Sequence, residues 1–319
     1  MNSFRGLSQY APQVGKAGSE AIYKDSSVIK AWATNCNLKL GWQNIADTAL
    51  GKVSVGDSLS AVGPAGSGVV SLGDGGEAIL TFANPVKNGP GFDFAIFENG
   101  FYSDSLAFLE LAFVEVSSNG WHYVRFPSVC NMDTLQQLNY FGGMDASKIN
   151  NLAGKYIGLY GTPFDLEIFA SLSSIDINHI THIKIIDVVG SLQNPFGNRD
   201  SNGHLINDPW PTAFPSSGFD LDAVAVMHEN IETTDPELNL PERIELFPNP
   251  VKNQEAYNII SSEPITGIRI IDGLGKLSTI EYYDKGSGHF IANINLVPGV
   301  YFIQVQMERN IISRKLLVQ

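Results

Sequence analysis

The chain has 319 residues, of which 44% are apolar and 31 are glycine, and its formal net charge at pH 7 is −13. This length is sufficient for two domains, each with its own core. The negative charge argues against binding to nucleic acid or anionic membranes, and no apolar run is long enough for a transmembrane helix.

The charge is unevenly distributed along the chain. Residues 245–319 carry seven acidic and seven basic side chains, so the whole excess lies in residues 1–244. Many glycines and prolines between short apolar runs favour strands over helices. We predict an all-β protein with a jelly-roll-like β-sandwich over residues 1–228, a linker over 229–243, and a small immunoglobulin-like β-sandwich over 244–319.

Two glycine-containing turns predict tight β-hairpins. Asn119-Gly120 interrupts the alternating segment EVSSNGWHYVRF, and Asp74-Gly75-Gly76 lies between the apolar runs VVSL and AILTF. Cysteine usage is low, and Cys36 and Cys130 either pair in an oxidising compartment or are buried as small hydrophobic side chains. The N-terminus lacks the charged and apolar regions of a signal peptide, so either a leader has been removed or replaced or the protein stays inside the cell.

The segment from Asp187 to Val226 concentrates oxygen-bearing side chains around Gly203, as a calcium loop does. It lacks the third acidic position and the closing glutamate of an EF-hand. The alternative is an Asx-turn loop in which the same side chains accept hydrogen bonds from backbone amides. We predict a structural calcium ion with ligands drawn from Asp187, Asp200, Asn202, Asp208, Asp220, Asp222 and Glu98.

Aromatic residues are frequent in the loop-rich part of the N-terminal region. Aromatic side chains at such an end either stack on sugars and other flat ligands or cover the core. The candidate ligand-binding residues are Trp210, Tyr140, Phe141 and Tyr160.

The catalytic motifs HExxH and GxSxG do not occur in the sequence, which favours a non-catalytic role. A glycan-cleaving hydrolase would need two carboxylates facing each other across a cleft, about 5–10 Å apart. The pairs Asp200 with Asp208 and Glu98 with Asp222 are the candidates, and the sequence cannot place either pair in space.

The C-terminal segments IELFPNPVKN (244–253), ITGIRIIDGLGKL (265–277), LVPGVYFIQVQ (296–306) and ISRKLLVQ (312–319) share one pattern. In this order they closely resemble the C-terminal sorting domain of type IX secretion substrates in Bacteroidetes. The resemblance implies a small β-sandwich that ends in an edge strand. It also implies interaction with the type IX secretion machinery, export by way of the periplasm, and a final place outside the cell or on its outer-membrane surface.

The N-terminal segments VVSLGDGGEAILTF, DFAIFENGF, ELAFVEVSSNG and GFDLDAVAV resemble segments of bacterial cell-surface proteins and, in their arrangement, jelly-roll carbohydrate-binding modules. The resemblance implies binding of a glycan, and we expect a non-catalytic surface protein. A captured nutrient such as cobalamin, passed to an outer-membrane transporter, is a second possible ligand. A glycan hydrolase and a purely structural adhesion protein remain the alternatives.

Overall fold

Short alternating apolar segments give this chain its strands, and the computed structural model is all-β, as predicted. The structure describes residues 10–103, 106–193, 195–231, 244–261, 264–273, 275–286, 288–307 and 311–319. The chain divides into two compact units, residues 1–231 and 232–319. Most of the predicted linker, from 232 to 243, lies outside the described residues.

The first unit contains strands of both regular and very short length. They are β1 (Ile22–Tyr23), β2 (Ala31–Trp32), β3 (Asn35–Lys39), β4 (Val70–Ser71), β5 (Glu77–Val86), β6 (Phe94–Glu98), β7 (Phe101–Ser103), β8 (Leu106–Phe108), β9 (Ala112–Ser117), β10 (Val124–Arg125), β11 (Val129–Cys130), β12 (Ile149–Asn150), β13 (Tyr160–Phe164), β14 (Ile180–Asp187) and β15 (Asp220–Val226).

Helical structure in the described residues is limited to short 3₁₀ turns at Thr48–Leu50, Ser58–Ala61, Ala146–Lys148 and Leu166–Phe169. Each turn follows an aspartate whose side chain accepts a hydrogen bond from a backbone amide of the turn. No helix among the described residues is long and apolar enough to cross a membrane.

The strands of the first unit form two antiparallel sheets that share one core. The front sheet has the order β1-β13-β6-β15-β2, with β4 also paired to β15, and the back sheet has the order β10-β9-β14-β5-β3. Phe94, Ile96 and Val224 of the front sheet pack with Leu80 and Ile183 of the back sheet in a single apolar cluster. The predicted β-sandwich is therefore confirmed.

One predicted hairpin is confirmed and the other is wrong. The turn at Asn119-Gly120 joins β9 to β10, and these two strands pair antiparallel. The segment Asp74-Gly75-Gly76 instead connects β4 of the front sheet to β5 of the back sheet. This segment therefore crosses from one sheet to the other. Asp74 and the amide of Gly75 form hydrogen bonds with residues far away in the sequence.

Loops at one end of this sandwich carry a second apolar cluster and a small hairpin. Leu109, Leu111, Met144 and Ile206 are buried in that cluster. The hairpin of β7 and β8 extends from the same region, with Phe101 paired across from Phe108. Cys36 and Cys130 are both buried, free thiols, and burial raises their pKa values to about 12 and about 11.

The second unit consists of two four-stranded antiparallel sheets around a separate core. Its strands are β16 (Ile244–Phe247), β17 (Ala256–Ser261), β18 (Ile265–Asp272), β19 (Leu277–Thr279), β20 (Tyr282–Asp284), β21 (His289–Asn293), β22 (Gly299–Met307) and β23 (Ile311–Val318). The sheets have the orders β16-β17-β21-β20 and β19-β18-β22-β23. The final strand β23 lies at a sheet edge and pairs with β22 along its whole length.

Candidate ligand-binding pocket

Strands from both sheets of the first unit end in carboxylates that lie near enough to repel one another. Glu98 is the last residue of β6 and pairs with Leu221 of β15, the residue that follows Asp220. Asp187 ends β14 opposite Ala112 of β9. Burial and mutual repulsion couple five carboxylates at this end: Glu98, Glu110, Asp187, Asp208 and Asp220.

Backbone amides donate hydrogen bonds to only some of the carboxylate oxygens in this cluster. Asp187 accepts hydrogen bonds from the amides of Gly75, at 3.1 Å, and Phe219, at 2.8 Å. Glu98 Oε2 accepts from Gly100, at 2.8 Å, and Asp208 Oδ2 accepts from Leu111, at 3.0 Å.

Two of these carboxylates have a second oxygen that receives no hydrogen bond from a described residue. Glu98 Oε1 and Asp208 Oδ1 are buried and have no hydrogen-bond partner among the described residues. A buried acceptor without a partner costs free energy, so each of these oxygens favours either a bound proton or a bound ligand.

Burial raises the pKa of every carboxyl group in the cluster. For Glu98, Glu110, Asp187 and Asp208 the pKa lies well above its ordinary value, first because of burial and then because of the neighbouring negative charges. Burial also raises the pKa of Asp220, against the hydrogen bonds that it accepts from Ser71 and Asn99. All ion pairs between described residues involve other acids, so no described basic side chain offsets this charge.

A cavity of about 350 Å³ opens above two members of the cluster. Glu110 and Asp220 lie in its lining together with Asn99, whose amide donates to Asp220 Oδ2 at 2.9 Å. The cavity falls in the size range of small-molecule sites in proteins. The remaining lining residues are Phe101, Phe108, Tyr140, Phe141, Thr212, Phe214 and Ser216. We call this cavity the acidic-aromatic pocket.

The aromatic walls of the acidic-aromatic pocket are held by contacts between rings. Phe101 and Phe108 stack at 5.0 Å because they are paired across β7 and β8. Phe141 meets Phe108 edge-on at 5.9 Å, and Tyr140 links Phe141, at 4.9 Å, to Phe214, at 6.1 Å. Phe141 is 61% exposed, so these rings form a contiguous and partly exposed aromatic patch.

Two of the four predicted ligand-binding residues line this pocket. Tyr140 and Phe141 form part of its wall. Trp210 is buried, and its indole donates to Asp74 Oδ2 at 3.0 Å. The ring of Tyr160, on β13, contacts Tyr23 at a centroid distance of 5.2 Å. Neither Trp210 nor Tyr160 is among the lining residues.

Four of the seven predicted metal ligands come together in the carboxylate cluster, namely Glu98, Asp187, Asp208 and Asp220. The side chain of Asp200 accepts hydrogen bonds from three backbone amides. Its Oδ1 accepts from Asn202 and His204 of the same loop, both at 2.9 Å, and its Oδ2 accepts from Cys130 at 3.1 Å. This is the geometry of the Asx-turn alternative.

The two other predicted metal ligands lie apart from the cluster. Asn202 is exposed, and both oxygens of Asp222 are 2.9 Å from the amide of Gly66. Within the described residues, no group of three or more His, Cys, Asp or Glu side chains is arranged to hold a metal ion. The calcium ion therefore stays a prediction.

Asp200 is expected to stabilise its loop without help from an ion. Replacing Asp200 with alanine leaves three backbone amides without their acceptor, which costs roughly 1–3 kcal/mol of the free energy of unfolding. Urea unfolding of D200A measures the loss, and N202A, at an exposed position of the same loop, is the control. Equal stability of D200A and N202A would contradict the structural role of Asp200.

Comparison with known proteins identifies the second unit. Residues 245–319 match the family model of the secretion system C-terminal sorting domain, which confirms the assignment made from the sequence. This domain indicates interaction with the type IX secretion machinery and export to the cell surface or the extracellular space.

The first unit is not identified in this way. A comparison with curated protein sequences finds no match. Among solved structures, HBP35 of Porphyromonas gingivalis is 13% identical, with a TM-score of 0.16, over 77% of this chain and 59% of that one. The BSP domain of a biofilm associated protein is 8% identical, with a TM-score of 0.18, over 93% of this chain and 53% of that one. TM-scores this low carry no argument about fold or function.

Proposed function

We propose that residues 1–231 form a non-catalytic ligand-binding domain that the sorting domain delivers to the cell surface. One observation carries the proposal: the acidic-aromatic pocket combines exposed rings with carboxylates that have no basic partner among the described residues. Exposed rings and uncompensated buried acids both destabilise a free protein, and a ligand that covers them recovers that free energy.

The size of the pocket limits the ligand. A cavity of about 350 Å³ suits a small molecule or the terminal unit of a glycan. Sugar rings stack on aromatic side chains while their hydroxyl groups donate to carboxylates such as Asp220. A corrinoid such as cobalamin is much larger than this cavity and would have to bind with most of its surface outside. Transfer of the ligand to an outer-membrane transporter stays a prediction.

Loss of an exposed wall ring is expected to weaken binding without unfolding the protein. A screen of glycans and small molecules by thermal shift identifies a ligand that raises the Tm of the native chain. Removal of one stacking ring in F141A then lowers the affinity for that ligand by up to about tenfold. The control is L135A, because Leu135 is 93% exposed and does not line the pocket. Equal affinity of F141A and L135A would place the ligand elsewhere.

A second candidate function is glycan hydrolysis. It is favoured because the pocket presents two carboxyl groups, Glu110 and Asp220, and because burial raises the pKa of both. A carboxyl group with a raised pKa suits a general acid. Release of reducing sugars that disappears in E110Q would support hydrolysis, whereas binding without turnover supports the non-catalytic function.

The predicted calcium ion is tested by thermal melting with and without EDTA. Four of its predicted ligands share the cluster, so an ion bound there only in the native state would raise the Tm by mass action. If a structural calcium ion is bound there, EDTA lowers the Tm of the native chain and calcium restores it. An unchanged Tm would rule out a structural calcium ion.

A further inference from the structure

The charge balance of the acidic-aromatic pocket restricts what it binds. Glu110 and Asp220 line it, and Glu98, Asp187 and Asp208 lie near enough to Glu110 to raise its pKa. The ion pairs of the described residues leave all five of these carboxylates without a basic partner. Glu98 Oε1 and Asp208 Oδ1 are buried without a described hydrogen-bond donor. Where these groups are ionised, a neutral ligand leaves their negative charge uncompensated, whereas a cationic ligand offsets it.

The walls of the pocket provide a second and independent indication. Four aromatic side chains that line the pocket are exposed at about half their surface or more: Phe101, Tyr140, Phe141 and Phe214. The faces of aromatic rings carry partial negative charge and attract cations, most strongly when the cation is shielded from water. The lining therefore presents negative potential from the carboxylates and from the ring faces together.

An inorganic ion makes poor use of this lining. A divalent metal requires several oxygen ligands at short range, and the described residues offer no such group of three acids. Apolar groups attached to the cation would in contrast bury the exposed rings. The combination of an acidic floor and aromatic walls suits a cation that carries carbon substituents.

On this basis, and resting on the proposed function, we infer that the acidic-aromatic pocket binds an organic ammonium cation. Its charged nitrogen lies against Glu110 and Asp220, and its carbon substituents lie against Phe108, Phe141 and the other rings. Trimethylammonium groups and the amino groups of amino sugars belong to this class.

The groups whose charge raises the pKa of Glu110 are all acids: Asp220 of β15, Glu98 of β6, Asp208 of the loop before Trp210, and Asp187 of β14.

The test compares ligands that differ only in charge. Choline and 3,3-dimethylbutan-1-ol have nearly the same shape, and glucosamine and glucose form a second pair. Calorimetric titration of the native chain is expected to show at least about tenfold tighter binding of the cationic member. E110Q removes this preference. D25N removes the same formal charge at an exposed residue outside the pocket and keeps the preference.

The outcomes separate the inference from the proposed function. If a neutral compound binds at this pocket as tightly as its cationic counterpart, the inference is overturned and the ligand-binding function stands. Calcium binding that E110Q abolishes would also overturn the inference, in favour of a metal site. If neither these pairs nor a wider panel of amines and glycans binds, both proposals fail.

Discussion

Deletion of residues 245–319 is expected to abolish export of the protein. The truncated chain keeps the whole first unit, with its own core and both of its sheets, so we expect it to fold and to be retained inside the cell envelope. The effect is close to all-or-none because the deleted residues are those that match the sorting domain. Immunoblotting of surface, medium and cell fractions measures it.

A transfer experiment supplies the control for this deletion. Residues 232–319, the whole second unit, are attached to an unrelated protein that carries a periplasmic leader. Appearance of this passenger at the cell surface shows that the second unit is sufficient for sorting. Normal surface display of the truncated protein would refute the sorting role of residues 245–319.

The ligand-free protein is expected to be more stable at pH 5 than at pH 8. An acid with a raised pKa in the folded state binds its proton more tightly there than in the unfolded chain. Below the ordinary value near 4 both states are protonated, so these groups cause no loss of stability. As the pH rises from there toward the folded-state pKa, the unfolded chain releases the proton first, and stability falls.

The size of this effect follows from the number of buried acids. Each such group removes up to about 1.4 kcal/mol per pH unit inside its window. Glu98, Glu110, Asp187 and Asp208 all have pKa values well above the ordinary range, mainly because of burial. We therefore expect the Tm of the first unit to fall by at least several °C between pH 5 and pH 8.

A substitution isolates the contribution of one carboxylate. E98Q cannot ionise and keeps nearly the same shape, so it raises the Tm at pH 8 and makes the decline with pH shallower. D25N, at an exposed position, leaves the decline unchanged. Scanning calorimetry at several pH values measures both variants. A Tm that rises steadily from pH 5 to pH 8 would contradict the destabilising role of the cluster.

The all-β class and the sorting domain could be predicted from sequence because their signals are local. Alternation and turn glycines specify strands such as β9 and β10, and the segment beginning at Phe247-Pro248 opens a recognisable series of motifs. The hairpin prediction at Asp74 was wrong because the choice between a hairpin and a crossing between sheets depends on partners distant in sequence, such as Trp210.

The pocket was only partly predictable for the same reason. Tyr140 and Phe141 were found by composition, but Phe101 and Phe108 reach the pocket through the pairing of β7 with β8. Glu110 lies within an apolar run, and only the three-dimensional structure shows that it faces four other acids. Its one local signal is a charged residue among buried ones, in a position where an unpaired charge is costly.

The pairing of β23 with β22 determines what a truncation within the sorting domain exposes. The strand β23, Ile311–Val318, is one member of a sheet, so these residues of the sorting domain are part of a folded surface. Removal of that strand alone would expose the hydrogen-bonding edge of β22, and such an edge invites pairing with other chains. We therefore expect a short truncation to combine a sorting defect with aggregation, whereas removal of the complete domain causes the sorting defect without aggregation.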